Sequence, residues 1–279
     1  MAHFTIGNED GVEFDIVGDN FESGEVDELD LSQFEFTMPQ RISEVGKGGS
    51  RPPICVQEKF IFLLDTSTGG ALPLALLKEK LLSFVRSRLS MPTFDLPTFA
   101  VCIVGSSNPL SLSPFSSDAT EISHHLAKAE PSRPDRASMD FSDILSFLAS
   151  NVGALDEDHC LVRVLVLYQD VLVPTFSNNK QTISSFLQHP AVVIDVLYFH
   201  GEPVRDIERT KTTFRWLCDL VDATDNADDS IAKWPSYIFA IGVTPSEPNS
   251  QDLVAKFLVL LSHPALRNDQ TDVSPGPPP

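Results

Sequence analysis

The chain has 279 residues, of which 39 are acidic and 20 basic, so its formal net charge at pH 7 is -19. Such a charge argues against binding to nucleic acid or to anionic membrane surfaces, which attract Lys- and Arg-rich faces. Hydrophobic residues make up 42% of the chain, enough to form a core without disulfides or structural metals. We expect protein partners with basic or neutral surfaces.

The first 53 residues differ in composition from the rest. Residues 1–50 contain 12 acidic and two basic side chains, with Phe4, Phe14, Phe34 and Phe36 among the acids. This composition predicts an acidic, largely disordered tail over 1–53, and the alternative is an acidic-aromatic segment that docks on a partner or on its own domain. Residues 54–267 are predicted to form one domain, followed by a Pro-rich disordered tail over 268–279.

The N-terminal segment lacks the basic and apolar regions of a signal peptide, and no apolar run approaches the length of a membrane span. The four cysteines lie far apart in the sequence, which is typical of reduced cysteines in a cytoplasmic or nuclear protein.

From residue 54 onward, apolar runs alternate with stretches of helical periodicity. The predicted strands are 59–64, 98–104, 110–113, 161–168, 191–200 and 237–242, and the third should be antiparallel because a short turn joins it to the second. The predicted helices are 73–89, 118–129, 140–148, 183–187, 203–221 and 251–261. Asp118 with Glu121 resembles a capping box, and Asp140 is a second candidate cap.

Strands that alternate with helices and are apolar throughout predict a mostly parallel sheet covered on both faces. The predicted fold class is therefore a doubly wound α/β domain. In such sheets, ligands bind at the carboxyl ends of the strands.

The candidate site follows the first strand. Asp65 and Ser67 offer a carboxylate and a hydroxyl, which are oxygen ligands of the kind that Mg²⁺ prefers. Their spacing resembles the Asp-x-Ser-x-Ser of the metal-ion-dependent adhesion site in von Willebrand A domains. Gly69 stands at the third ligand position and has no side chain to offer.

The remaining ligands of that site are a Thr before the mid-chain helix and an Asp after the next strand. Residues 137–140 contain no Thr, Gln169 takes the Asp position by strand alignment, and Asp170 comes one residue late. We interpret Asp65, Ser67, Gly69 and Asp170 as a degenerate site, and expect no metal or cofactor. Asp65 and Ser67 would then cap the first helix or order the loop.

No catalytic motif is recognisable. There is no G-x-S-x-G elbow, and the Gly-Lys-Gly of 45–53 does not follow a predicted strand as a phosphate loop would. The sequence thus predicts a protein that is not an enzyme. An α/β hydrolytic enzyme is the weakest alternative.

Several segments, in their order, resemble one family: the von Willebrand A-like scaffold subunit of the BRISC and BRCA-one A deubiquitinase complexes. The resemblance covers about 55–267, and includes the strand that ends in Tyr198-Phe199-His200 and the closing Leu261-Ser262-His263-Pro264. The other segments that carry it are 58–65, 99–104, 162–168 and 255–258.

This resemblance implies a non-catalytic scaffold in cytoplasm and nucleus, with links to DNA-damage signalling or to cytokine-receptor traffic. The implied partner is a BRE-type UEV subunit and, through it, a JAMM-type metalloprotease deubiquitinase and an Abraxas-like subunit, acting on lysine-sixty-three-linked ubiquitin. Phe257 and Leu266 are further docking candidates, with core packing as the alternative for Phe257. The competing hypothesis is a metal-dependent, ligand-binding von Willebrand A domain that uses the partial adhesion site.

Overall fold

The structure is a computed structural model whose contacts divide the chain into two units, Met1–Val45 and Gly46–Pro279. It describes residues 4–7, 13–16, 57–91, 95–105, 110–133, 138–153, 160–169, 171–175, 186–201, 204, 206–225, 236–244, 246 and 251–261. The tail predicted over 268–279 lies outside these ranges.

The first unit contains an antiparallel hairpin that the sequence did not predict. Strand β1 (Phe4–Gly7) pairs with β2 (Glu13–Ile16), with Phe4 opposite Ile16. The prediction of a largely disordered tail remains a prediction for the other residues of 1–53.

The second unit is built on a six-stranded sheet. Its strands are β3 (Gln57–Asp65), β4 (Thr98–Val104), β5 (Ser111–Leu112), β7 (Cys160–Tyr168), β9 (Val192–Gly201) and β10 (Ile238–Val243). They lie in the order β10-β9-β7-β3-β4-β5, and all neighbours are parallel except β4 and β5. The predicted antiparallel third strand is confirmed.

Five helices whose bounds lie in the described ranges cover both faces of this sheet. They are α1 (Leu74–Ser90), α2 (Ala119–Ala127), α3 (Phe141–Asn151), α4 (Ile207–Asp225) and α5 (Gln251–Leu261). Buried side chains of α1, α2 and α5 pack on one face, and those of α3 and α4 pack on the other. The doubly wound, mostly parallel fold class is therefore confirmed.

Two short strands were missed. β6 (Ser138–Asp140) and β8 (Val173–Thr175) form a separate parallel pair, with Met139 opposite Pro174. Three residues are too few to show a strand period, and β6 falls in a segment predicted as a loop running into a helix. Of the predicted helix at 183–187, only residues 186 and 187 are described, and both are helical.

The predicted N-caps are present. Asp118 accepts a hydrogen bond from the Thr120 N–H at 2.7 Å, and Asp140 accepts one from the Ser142 N–H at 2.8 Å. The capping box at α2 differs from the usual reciprocal form. Ser116 Oγ accepts the Asp118 N–H at 3.0 Å and donates to the Glu121 carboxylate at 2.6 Å, so the hydroxyl bridges the two residues.

Phenylalanine rings pack α1 against the sheet. Phe60 of β3 stacks on Phe99 of β4 with ring centroids 5.0 Å apart, and the edge of Phe84 of α1 meets Phe60 at 5.6 Å. Phe257 of α5 is 7% exposed and lies 6.2 Å from Phe84, so it belongs to the core rather than to a docking surface. Leu266 lies outside the described residues.

None of the helices in the described ranges is long and apolar enough to cross a membrane.

Candidate functional site

The candidate site lies where the two central strands, β3 and β7, end side by side. The strands that follow β3 in the sequence, β4 and β5, lie on one side of it in the sheet, whereas β7, β9 and β10 lie on the other side. This reversal of strand order is the place where doubly wound proteins form a ligand crevice. Asp65 ends β3 and Gln169 follows β7, as the positions of the predicted strands indicated.

Asp65 is 2% exposed, and both of its carboxylate oxygens accept backbone hydrogen bonds. Oδ1 accepts the Ser67 N–H at 2.9 Å, and Oδ2 accepts the Gln169 N–H at 3.2 Å. The side chain therefore orders the loop and ties it to β7. The alternative prediction that it caps the first helix is wrong, because α1 begins after Pro73 without any side-chain cap.

The Gln169 side chain pairs with the main chain of Leu72, in the loop before α1. Its Oε1 accepts the Leu72 N–H at 3.0 Å and its Nε2 donates to the Leu72 carbonyl at 3.0 Å. The close approach requires Gly70, because a Cβ there would lie 2.4 Å from Gln169 Oε1 and 2.9 Å from Gln169 Cβ. A neutral amide thus occupies the position of a carboxylate ligand and satisfies two main-chain groups.

A second set of contacts fixes the loop from the other side. The Thr68 N–H donates to the Ser132 carbonyl at 2.7 Å, and the Ser132 N–H donates to the Thr66 carbonyl at 2.8 Å. The Thr66 N–H and Oγ1 both donate to the Val104 carbonyl, at 2.9 and 3.2 Å. The loop after β3 is therefore held by hydrogen bonds to three other segments of the chain.

The residues present do not make a complete Mg²⁺ site. Ser67 is buried, and its Oγ lies close enough to the Asp65 carboxylate to lower the pKa of that carboxyl, although it makes no hydrogen bond of ordinary geometry within the described part of the chain. Gly69 adopts a φ of 93°, which explains glycine at this position through the turn rather than through ligation. Asp170 lies outside the described residues. In the described ranges, no three His, Cys, Asp or Glu side chains gather as a metal site would require.

Burial raises the pKa of Asp65 above its usual value of 3.8, against the opposing effect of the hydrogen bonds from Ser67 and Gln169. Removal from water disfavours the charged carboxylate, and the Ser67 side chain together with the Ser67 and Gln169 N–H groups returns part of that cost. The ionised form of Asp65 is therefore held at some expense in the folded state.

A buried ion network lies towards the other end of the same strands, and the sequence reasoning missed it. Arg163 of β7 is 2% exposed and donates to Glu58 of β3 at 3.3 Å and to Asp195 of β9 at 3.2 Å. Arg88 of α1 also donates to Glu58. The sequence did contain a signal for it. Arg163 and Asp195 lie within predicted strands that are covered on both faces, and a charged residue buried there needs a partner of opposite charge.

The network also holds α5. Arg163 Nη2 donates to the Leu260 carbonyl at 2.7 Å, and Asp195 Oδ1 accepts the Tyr237 N–H at 3.0 Å. The last carbonyls of a helix have no partner within the helix, so a guanidinium at this end satisfies one of them. The guanidinium also lies over the Phe60 ring, 4.8 Å from its centroid. These residues join the sheet to two helices rather than form a reaction centre.

The sequence matches no protein-family model and no curated protein. Among solved structures, the SpRpn10 VWA domain is similar, at 12% identity and a TM-score of 0.47 over 73% of this chain and 94% of that one. The N-terminal domain of TFIIH p34 is 18% identical with a TM-score of 0.44, over 73% of this chain and 97% of that one. BatB from Bacteroides thetaiotaomicron is 12% identical with a TM-score of 0.45, over 73% and 98%.

Likeness at these identities concerns the fold alone, and these TM-scores carry no argument about ligand or partner. The strand order and the two helix layers establish the doubly wound fold class independently.

Proposed function

We propose that this chain is a non-catalytic scaffold that binds other proteins through its doubly wound domain. The finer proposal is that it is a subunit of a BRISC or BRCA-one A-like deubiquitinase complex, in cytoplasm and nucleus. It would bind a BRE-type UEV subunit and so help to hold the JAMM-type metalloprotease and the Abraxas-like subunit in one assembly.

One observation carries the proposal. At the crevice where a doubly wound protein would bind a substrate or cofactor, the described side chains of Asp65 and Gln169 hydrogen-bond to main-chain groups of this same chain. What this geometry provides is a rigid loop, and rigidity favours recognition by lowering the entropy lost on binding.

The sequence resemblance supports the finer proposal. It extends over most of the domain in the order of the family's segments, and the degenerate adhesion site agrees with a subunit that binds without a metal. The net charge of -19 favours a partner with a basic surface.

The test is binding of the full chain to the BRE-type UEV subunit of the same organism, measured by calorimetry in Mg²⁺ and again in EDTA. Stable association of equal affinity in both buffers is expected. Deletion of 1–50 and of 268–279, in turn, would show whether either end contributes. Failure of the full chain to bind in either buffer would overturn the finer proposal.

One observation favours the metal-dependent alternative: the buried Ser67 Oγ lies beside the Asp65 carboxylate without making a hydrogen bond of ordinary geometry to any described residue. A metal bound only by the folded state raises its melting temperature. If the scaffold proposal is correct, millimolar Mg²⁺ should leave the melting temperature unchanged, in the wild type and in Ser67→Ala alike. A rise in the wild type alone would favour the alternative.

A further inference from the structure

Three segments of the chain meet around the loop after β3, residues 65–72. In an adhesion site, the ligands would come from this loop, from the segment before the mid-chain helix and from the segment after the next strand, so that a cation joins all three. The corresponding segments here are the loop itself, the stretch before α3 that contains Ser132, and Gln169 after β7. The contacts of the described residues show how the chain itself joins them.

The main chain makes the connection to Ser132. The Thr68 N–H donates to the Ser132 carbonyl at 2.7 Å, and the Ser132 N–H donates to the Thr66 carbonyl at 2.8 Å. Ser67 and Ser132 also form an isolated parallel β-bridge. Main-chain donors and acceptors satisfy each other here, so this connection depends on neither a side chain nor a cation.

The Gln169 side chain makes the connection to β7. Gln169 is 3% exposed, its Oε1 accepts the Leu72 N–H and its Nε2 donates to the Leu72 carbonyl, both at 3.0 Å. An amide side chain has both an acceptor and donors, whereas an ionised carboxylate only accepts and a metal cation binds only acceptors. Of these three groups, the amide alone can therefore satisfy the N–H and the carbonyl of one residue at once.

Charge is the second difference between Gln169 and a metal ligand. The Gln169 N–H donates to Asp65 Oδ2 at 3.2 Å, so a carboxylate at position 169 would lie close to that of Asp65. Asp65 is 2% exposed, and two carboxylates in a site removed from water repel each other. A cation would be needed to offset that repulsion, whereas the neutral amide of Gln169 does not create it.

We propose that the Gln169 amide takes the place of a divalent cation in this fold, holding the loop after β3 in one conformation whatever the cation concentration. Gln169 is a positioning residue in this sense, because it acts through Leu72 and has no need to touch a partner. The inference goes beyond the proposed function, since it concerns what fixes the loop and not what binds to it. A partner that contacts the loop would meet a surface set in advance, which lowers the entropy lost on binding.

The first test follows the Leu72 amide of the full chain by hydrogen–deuterium exchange. In the wild type it should exchange slowly, and at the same rate in Mg²⁺ and in EDTA. Gln169→Leu keeps a side chain of similar size without its polar atoms, and should make the Leu72 amide exchange about tenfold faster or more. The Thr66 amide, which donates to the Val104 carbonyl, is the internal control and should change little.

The second test asks whether a cation can take over from the amide. Gln169→Asp and Gln169→Asn have side chains of equal length, both too short to pair with Leu72 as Gln169 does, and they differ in charge. Both should lower the melting temperature. Addition of about 10 mM Mg²⁺ should raise it again by about 3 °C or more in Gln169→Asp, where Asp65 and Ser67 remain as ligands, and should not raise it in Gln169→Asn or the wild type.

A side chain that only fills space would give the two short variants the same response to Mg²⁺, and that result would overturn the inference. A wild type whose Leu72 exchange or melting temperature depends on Mg²⁺ would also overturn it. So would a Gln169→Asp variant that folds in neither buffer while Gln169→Asn folds. If Gln169→Leu does not fold, the wild-type Leu72 amide decides the question, because exchange at the rate of an unprotected loop amide would contradict the pairing with Gln169. These measurements need no partner, so failure to bind the BRE-type subunit would overturn the proposed function alone.

Discussion

Asp65 is a carboxylic acid held out of water at the end of the central strand, with a backbone N–H on each oxygen. In a metal site, a cation would offset the cost of its burial. Here the two donors offset part of it, and burial still raises the pKa of Asp65. Asp65 therefore stands where a metal ligand would stand, but both of its carboxylate oxygens accept hydrogen bonds from the main chain.

This pKa shift predicts a pH dependence of stability. Because the folded state binds the Asp65 proton more tightly, its contribution to stability is fully present below the unfolded-state pKa of about 4, and is lost as pH rises through the folded-state pKa. With Asp65→Asn as the reference that does not titrate, the wild-type advantage in free energy of unfolding should shrink as pH rises from about 3 to about 7. Urea unfolding of both proteins across this range checks it, and an advantage that grows with pH would contradict it.

Cys102 gives a second prediction at this scale. It is a free, buried thiol, and burial raises the pKa of Cys102 to about 12 from 9.0. Its thiolate fraction at pH 8 is then roughly a thousandfold below that of an unperturbed cysteine, and the thiolate is the reactive form. Alkylation by iodoacetamide, followed by peptide mass spectrometry, should leave Cys102 unmodified in the folded protein and modify it in denaturant. The half-buried Cys218 should react faster than Cys102 in the folded protein.

Sequence reasoning located Asp65, Ser67 and Gln169 because a strand end followed by polar residues is a local pattern. It could not show that the Gln169 amide pairs with Leu72, which is 97 positions away in the chain. Nor did it show the partners of Arg163, which come from β3, β9 and α5. Contacts between distant segments depend on the sheet order, and local periodicity carries no information about that order.

At the level of elements, the loop between β3 and α1 depends on a close contact with the residue that follows β7. Gly70 leaves the space that the Gln169 side chain needs. Gly70→Ala should displace Gln169, break its pair with Leu72 and destabilise the protein by about 1–3 kcal/mol. Chemical denaturation measures the change.

Gly201→Ala is the matched control for that variant. A Cβ at Gly201, the last residue of β9, would have no neighbour within 4 Å among the residues that the structure describes. Its effect should stay within about 0.5 kcal/mol. Equal losses from the two variants would show that the contact with Gln169 does not explain the effect at Gly70.

The long strands and helices could be predicted from the sequence, because the apolar residues of each follow one pattern along its length, that of a buried strand or that of a helix. β4 was predicted with the bounds that the structure has, and α5 likewise. β6 and β8 could not be, since each is three residues long and exists through its pairing with the other. The two strands are parallel and separated by α3 and β7, so no tight turn joins them and the sequence carries no hairpin motif that would predict the pair.

At the scale of the whole molecule, the buried ion network joins three strands and two helices. Arg163 contacts Glu58 and Asp195, and removing one partner of a buried ion pair leaves a charge without compensation. Arg163→Met should therefore lower the free energy of unfolding by about 3–5 kcal/mol. Thermal and chemical denaturation would measure the loss.

Lys211→Met makes the same change of side chain at a surface pair. Lys211 lies 3.5 Å from Glu208 within the exposed face of α4. The loss there should be below about 1 kcal/mol. If the two substitutions cost the same, the network around Arg163 does not stabilise the fold more than a surface contact does.

The bond from Arg163 to the Leu260 carbonyl has a mechanical consequence. A helix ordinarily frays from its final turn, yet the final turn of α5 is the part fixed to β7, two strands in from the edge of the sheet. Tension applied to the chain beyond Leu261 would therefore load the middle of the sheet directly, instead of unwinding α5 one residue at a time. Pulled from that end, the domain should yield in a single abrupt event, and Arg163→Met should convert it into a gradual peeling that starts at lower force.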